Sequence, residues 1–209
     1  MDKDIMPICL LKGRWVEIFL DFLEDRAVKE FTKIALGQID DKFWTAASSS
    51  SGKYHPPENN GIGGLVRHTY KALVIARHLC RLFEISDWRR DCIFAAAILH
   101  DTYKGGDVWG EHTDTKHGWI AFQRYKFLDA EISYSKRDLI CSCIRLHMAE
   151  WSDPVAEKEL AKRPTTEERI VQIADYLASR KDISFFPGIA LQDYLEYKEK
   201  KNESREAVG

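Results

Sequence analysis

The chain predicts an all-α fold, a single domain of about seven helices, in 209 residues. Two observations carry this. Nearly every apolar stretch repeats at the three-to-four-residue spacing of a helix, and no segment shows the strict alternation of a half-exposed strand. Hydrophobic residues make up 44% of the chain, enough for one core, and the length is that of one domain.

The elements follow in order. WVEIFLDF, Trp15 to Phe22, predicts an amphipathic helix. A second is expected from about Arg26 to Leu36, with Gly37 as its stop. Ala46 to Gly64 is rich in Ser, Gly, Pro and Asn and excludes regular helix; a connection this long is functional or flexible. Leu65 to Phe83 carries Leu65, Thr69, Ala72, Leu73, Ala76 and Leu79 at helical spacing. Trp88 to Asp101 contains CIFAAAILH, apolar on most sides and therefore a buried helix. Gly105 and Gly106 then break the chain.

His117 to Phe127 and Ser135 to Glu150 are the next helices, the second opened by a capping box of Ser135 and Asp138. Thr165 or Thr166 starts another, Glu167 to Arg180, with acidic residues in its first turn. A turn at Asp182 to Gly188 and a last helix, Ile189 to Lys200, complete the chain, which ends in a charged tail.

Composition narrows the function. The 31 basic and 33 acidic residues nearly balance, so no global field draws nucleic acid or an anionic membrane. No apolar run reaches the roughly 18 residues of a membrane span, and the N-terminus has no signal-peptide pattern. Cys9, Cys80, Cys92, Cys141 and Cys143 form no CxxC pair and read as reduced, buried thiols. A cytoplasmic protein is expected.

Histidines and aspartates at helix ends carry the chemistry. His68 begins the long helix, and His100 and Asp101 close the buried one. His117 opens the next helix, His147 lies late in its own, and Asp175 sits among Ile173, Ala174 and Leu177. A carboxylate in such apolar surroundings is costly unless paired or bound to a cation. Two such aspartates with several histidines point to a divalent metal. Imidazole nitrogen with carboxylate oxygen suits Mn, Fe, Ni, Co or Zn, and the lack of thiolate argues against a structural zinc. A single helix-end histidine is more often a dipole partner or a core residue; the combination is what points to a metal.

Those residues lie in segments that resemble a known family. KYHPPENNGIGGLVRHTYKALVIARHLC, AAAILHDTYKGG, IRLHMAEW and RPTTEERIVQIADYLASR are similar to the successive ligand-bearing segments of the HD-domain metal-dependent phosphohydrolases, nearest the HD domain of bacterial 3′–5′ exoribonucleases. The resemblance runs from about residue 54 to 181. It implies an HD-type core at 51–185, with an N-terminal helical segment at 1–50 packed on it and a C-terminal helix and tail at 186–209.

The resemblance also implies roles. His68, His100, Asp101 and Asp175 would hold a first metal ion, and His117 and His147 a second, with Asp101 shared. His112 competes with His117, which is favoured because GWIAF reads as a helix start. One or two divalent ions are expected, with a metal-activated hydroxide attacking a phosphoester. Lys104 stands where the family's lysine contacts a phosphate, and Tyr103 where a glycine is common, so Tyr103 is expected to narrow the pocket or change how the chain turns, and to touch substrate. His55 is read either as a general acid and substrate contact or as an exposed loop residue, and His78 as structural. Arg67 and Lys116 are read as helpers or as solvated surface.

The expected substrate is a nucleotide or short oligonucleotide, with Tyr54, Tyr103, Trp109 and Trp151 able to stack on a base or to serve packing alone. A metal-containing nucleotide-binding module without turnover and a di-iron oxygenase are the rival readings.

Overall fold

The computed structural model describes residues 8–49, 59–151, 160 and 162–181. Among the described residues there are helices and no strands. Eight α-helices run in order: α1 Ile8–Leu20, α2 Arg26–Gly37, α3 Lys42–Thr45, α4 Gly64–Leu82, α5 Asp87–Leu99, α6 His117–Lys126, α7 Tyr134–Leu146 and α8 Thr166–Ala178. A 3₁₀ turn, Ala149–Trp151, follows α7.

The apolar spacing explains where these helices sit. Helix α5 is buried on every turn from Asp91 to Leu99 and occupies the centre. Helices α2, α4, α7 and α8 pack around it; α4 and α7 each also pack against α8, and α6 rests on α7. Phe19, Phe31, Phe43, Leu73, Ile93 and Ile98 are among the side chains with no measurable exposure. The buried Asp91 carboxylate ties the α1–α2 turn to α5 by accepting the backbone N–H groups of Glu24 and Asp25 at 2.6 Å each. The neighbouring Arg90 guanidinium neutralises it at 3.0 Å.

Several expectations change at the helix ends. The first helix begins at Ile8, ahead of Trp15. Helix α3 arises in a stretch too short to show a period, and it buries Phe43 and Trp44. The expected Ser135 capping box does not form. The helix starts at Tyr134 with Ser133 as N-cap, no side-chain cap bond is made, and the Ser135 hydroxyl lies 3.3 Å from that of Ser133. Helices α5 and α7 stop at Leu99 and Leu146, short of Asp101 and Glu150, because His100 and His147 take the cap positions. At α8 the capping box is complete: Thr165 accepts from the Glu168 N–H while the Glu168 side chain accepts from that of Thr165.

Cys80, Cys92, Cys141 and Cys143 are free and buried. Burial pushes the Cys80, Cys92 and Cys141 thiols up to about 12, so they behave as small apolar groups. The expected turn at Asp182–Gly188 and helix at Ile189–Lys200 lie outside the described residues, as do Tyr54 and His55.

A candidate metal centre

His68 is delivered by the start of α4. The entering chain is held by two backbone bonds, Gly63 N–H to Thr45 O and Leu65 N–H to Ala46 O, both 2.9 Å. Gly64 allows this approach, since a Cβ there would lie 2.0 Å from the Asn59 carbonyl oxygen. His100 and His147 are the C-caps of α5 and α7, and His117 is the first residue of α6. All four histidines are at most 2% exposed. Asp101 follows His100 into the turn, and Asp175 lies three turns into α8.

Three of the histidines share one device. The ring Nδ1 of His100 lies 2.8 Å from the Ala97 carbonyl, that of His117 2.6 Å from Asp114, and that of His147 2.6 Å from Ile144, each three residues back. A carbonyl only accepts, so each Nδ1 carries the hydrogen and leaves Nε2 to face the cluster. At the C-termini of α5 and α7 the same bond satisfies a carbonyl that the ending helix leaves over.

Those Nε2 atoms converge on two carboxylates. His68 Nε2 lies 3.0 Å from Asp175 Oδ1 and 3.5 Å from Asp101 Oδ2. His100 Nε2 lies 3.4 Å from Asp101 Oδ2 and 3.6 Å from Asp175 Oδ1. The other oxygen of Asp101, Oδ1, faces His117 Nε2 at 3.0 Å and His147 Nε2 at 3.8 Å. Asp101 therefore belongs to two groups of donors, His68–His100–Asp101–Asp175 and Asp101–His117–His147, each with its donor atoms within 4.8 Å of one another. Lys104 Nζ sits 2.6 Å from Asp101 Oδ2.

The electrostatics call for positive charge. Burial opposes ionisation of Asp101, but Lys104 and His100 overcome it and hold its carboxyl well below the usual range. Asp175 is held low in the same way by His100 and His68. Burial pulls the His100 imidazole down, yet the fields of Asp101 and Asp175 raise it to about 10. Burial, then His117 and His100, push His147 down to about 3, and burial lowers His68. The first group thus gathers a cation or a proton.

Two observations show that a metal ion fits. The buried His100 Nε2 makes no hydrogen bond among the described residues, although it lies 3.4 Å from Asp101 Oδ2 and 3.6 Å from Asp175 Oδ1. His117 and His147 face each other Nε2 to Nε2 at 3.0 Å with both Nδ1 hydrogens committed to carbonyls. Two such lone pairs repel unless a proton or a cation stands between them. The donors are nitrogen and oxygen only, a set suited to divalent transition metals.

A cavity of about 960 Å³ opens onto both groups. Asp101, His117, His147 and Asp175 line it, and Asp175 is 24% exposed there. Lys104 lines it as well. Tyr103 does not; it packs edge-on against Tyr125 at 5.9 Å and faces a separate cavity, so the expected narrowing of the pocket and the expected substrate contact find no support in its position. His112 and His78 are exposed outside both donor groups, as is Lys116. Of the expected stacking residues, Trp151 lines the cavity and Trp109 packs over Gly105 away from it.

The sequence reading missed the basic residues of the cavity, Lys162, Arg169 and Arg180, and the partly exposed Tyr176. Arg169, Tyr176 and Arg180 recur at spacings of seven and four residues along α8 and just past its end, a pattern that by itself reads as a solvated face.

Eight helices thus present a buried, two-lobed cluster of imidazoles and carboxylates at the floor of a cavity, the layout of an all-α metalloprotein. The chain belongs to the HD-domain family: the HD domain family model matches residues 65–180. Members of that family are generally phosphohydrolases, and HD domains bind divalent metals. No curated protein and no solved structure gives a significant match.

Proposed function

We propose that the chain is a metal-dependent phosphohydrolase that cleaves a phosphoester of a nucleotide or short oligonucleotide in the cytoplasm. The observation that carries the reading is the division of Asp101, with Oδ2 facing His68 and His100 and Oδ1 facing His117 and His147. His68, His100, Asp101 and Asp175 would hold one ion, and Asp101, His117 and His147 a second. Bound divalent ions would lower the pKa of water toward neutrality and supply the hydroxide for attack on phosphorus.

The chain's own residues account for the rest. The Nδ1–H bonds to Ala97, Asp114 and Ile144 fix the orientation of the His100, His117 and His147 rings in advance, so those imidazoles need not turn to form the centre. Lys104, beside Asp101 and in the cavity wall, supplies a point charge for a phosphoryl oxygen. The cavity lies within the size range of small-ligand sites and accommodates a nucleotide.

The test is hydrolysis of a chromogenic phosphodiester and a chromogenic phosphomonoester by the purified chain with added Mn. Release that depends on metal and disappears in Asp101→Ala supports the reading. No release from either ester by protein shown to hold metal contradicts it.

A further inference from the structure

His147 stands where its helix runs out. It is the C-cap of α7, and two residues later the chain takes a left-handed turn at Ala149, with φ 50°. The peptide plane leading into His147 carries the Leu146 C=O at one edge and the His147 N–H at the other. The N–H donates to the Ile144 carbonyl at 3.5 Å, the long limit of a hydrogen bond. The last carbonyls of a helix have no partner within it. Leu146 O finds one on another helix: Gln172 Nε2 of α8 donates to it at 2.9 Å in the buried interior. That is the shorter of these two bonds to the plane.

Gln172 is 5% exposed and lines the metal-bearing cavity. It lies three residues before Asp175, on the same side of α8 and roughly 4.5 Å along its axis at about 1.5 Å per residue. Its amide therefore joins the end of α7 that carries His147 to the turn of α8 that carries Asp175. A carbonyl only accepts, so the amide nitrogen faces Leu146 and Oε1 is left over. Oε1 is buried and makes no hydrogen bond among the described residues. The side chain thus satisfies one buried acceptor and leaves another unpaired. The two effects on stability are of the same size and opposite sign, so stability does not account for an amide at this position.

We infer that Gln172 is a positioning residue: it fixes the Leu146–His147 peptide and so sets where the His147 imidazole stands relative to His117 and Asp101. This rests on the two-ion reading of the donor groups. The Nδ1–H bond to Ile144 sets how the ring is turned. Gln172 sets the backbone from which the ring hangs. Without the amide, that plane keeps the 3.5 Å bond and loses the 2.9 Å one, and His147 Nε2 is no longer held 3.0 Å from His117 Nε2.

The test is titration of the full chain with Co(II), read by calorimetry and by visible absorption. Asp175→Ala and His117→Ala assign the two binding steps, each by the step it removes. Gln172→Met keeps the length of the side chain and loses the amide. It is expected to weaken the His117-dependent step about 10–100-fold, the scale of losing a ligand's support, to alter the visible spectrum of that step, and to keep the other step. The urea midpoint of the metal-free variant is expected to stay near that of the wild type. Thr165→Ala is the converse control: it lowers the midpoint by removing the α8 cap and is expected to keep both steps and both spectra.

An unchanged His117-dependent step in Gln172→Met overturns the inference, as does equal weakening of both steps or the same loss in Thr165→Ala. Should Gln172→Met fail to fold, Gln172→Asn, which draws the amide back by one carbon, is read in its place against the same outcomes. Turnover is measured separately. Hydrolysis of chromogenic esters with a second ion indifferent to Gln172 sinks the positioning role alone. A Gln172-dependent second ion in a chain that hydrolyses nothing retains the role and sinks the hydrolase reading. A wild type with no His117-dependent step overturns both the two-ion reading and the role of Gln172.

Discussion

Gly118→Ala should damage one half of the metal centre and leave the other intact. A Cβ at Gly118 would lie 3.1 Å from His147 Cε1, 3.2 Å from its Nδ1 and 3.2 Å from the Ile144 carbonyl oxygen. Each contact is a few tenths of an ångström too short, and neither neighbour yields easily. The carbonyl belongs to the last turn of α7, and the imidazole is pinned to that same carbonyl at 2.6 Å. Replacing glycine by alanine in a helix gains up to about 1 kcal/mol in propensity. Overpacking costs about 1–3 kcal/mol, so the clash is expected to win.

The net loss should be up to about 2 kcal/mol in urea denaturation, with an unchanged slope. The larger effect is on His147, whose Nε2 must be held against His117 and Asp101. Affinity for the ion held by Asp101, His117 and His147 should fall about 10–100-fold, the scale of losing a ligand's support. The ion held by His68, His100, Asp101 and Asp175 should stay. Metal titration of both proteins reads this directly. A variant more stable than wild type by about 1 kcal/mol, with both affinities unchanged, would refute the packing argument.

Further outcomes are expected elsewhere. Asp101→Asn should weaken both metal positions together, because one side chain serves both, and loss at only one position in a metal titration would contradict that sharing. Thr165→Ala should cost about 1 kcal/mol through loss of the α8 capping box, with metal content unchanged by elemental analysis. Cys141→Ala should likewise keep its metal, since the thiol lies in neither donor group. Asp25 caps α2 and pairs with Lys136 at 2.5 Å; burial raises its pKa, but Lys136 and the Val28 N–H outweigh this and lower it from 3.8. Its ionised form is therefore favoured in the folded state. Asp25→Ala should cost about 1–2 kcal/mol at neutral pH, and the gap to wild type should close as pH falls below about 4, as followed by denaturation.

How much of this was legible in the sequence depends on the physical scale of the signal. Long apolar periods located α4, α5 and α8 to within a few residues, because burying one face of a helix needs many residues in register. The segment at Lys42–Thr45 is too short to show a period, and only its tertiary contacts make it helical. At α8 the threonines and the acidic first turn marked the start as Thr165 or Thr166, and the reciprocal bonds of Thr165 and Glu168 fix it at Thr165. At Ser135–Asp138 the same spacing misled, since the chain turns into the helix one residue earlier.

The histidines and aspartates stood out because buried ionisable groups are costly, and that cost does not depend on knowing the fold. What sequence spacing cannot show is which ring nitrogen faces the centre; that is decided by carbonyls three residues away in space and sequence together. Arg169 and Tyr176 went unnoticed because exposed polar residues on a helix are the ordinary case. Only the cavity over α8 separates them from it. Tyr103 drew notice because it stands where the family commonly has glycine, whereas the chain after α5 carries its ring against Tyr125 and toward a separate cavity.

The most direct measurement is the metal content of the purified wild-type chain beside that of Asp175→Ala. The account predicts divalent transition metal in the wild type and loss of the His68–His100 ion in the variant, with the helical circular dichroism retained. The same metal content in both proteins would contradict it.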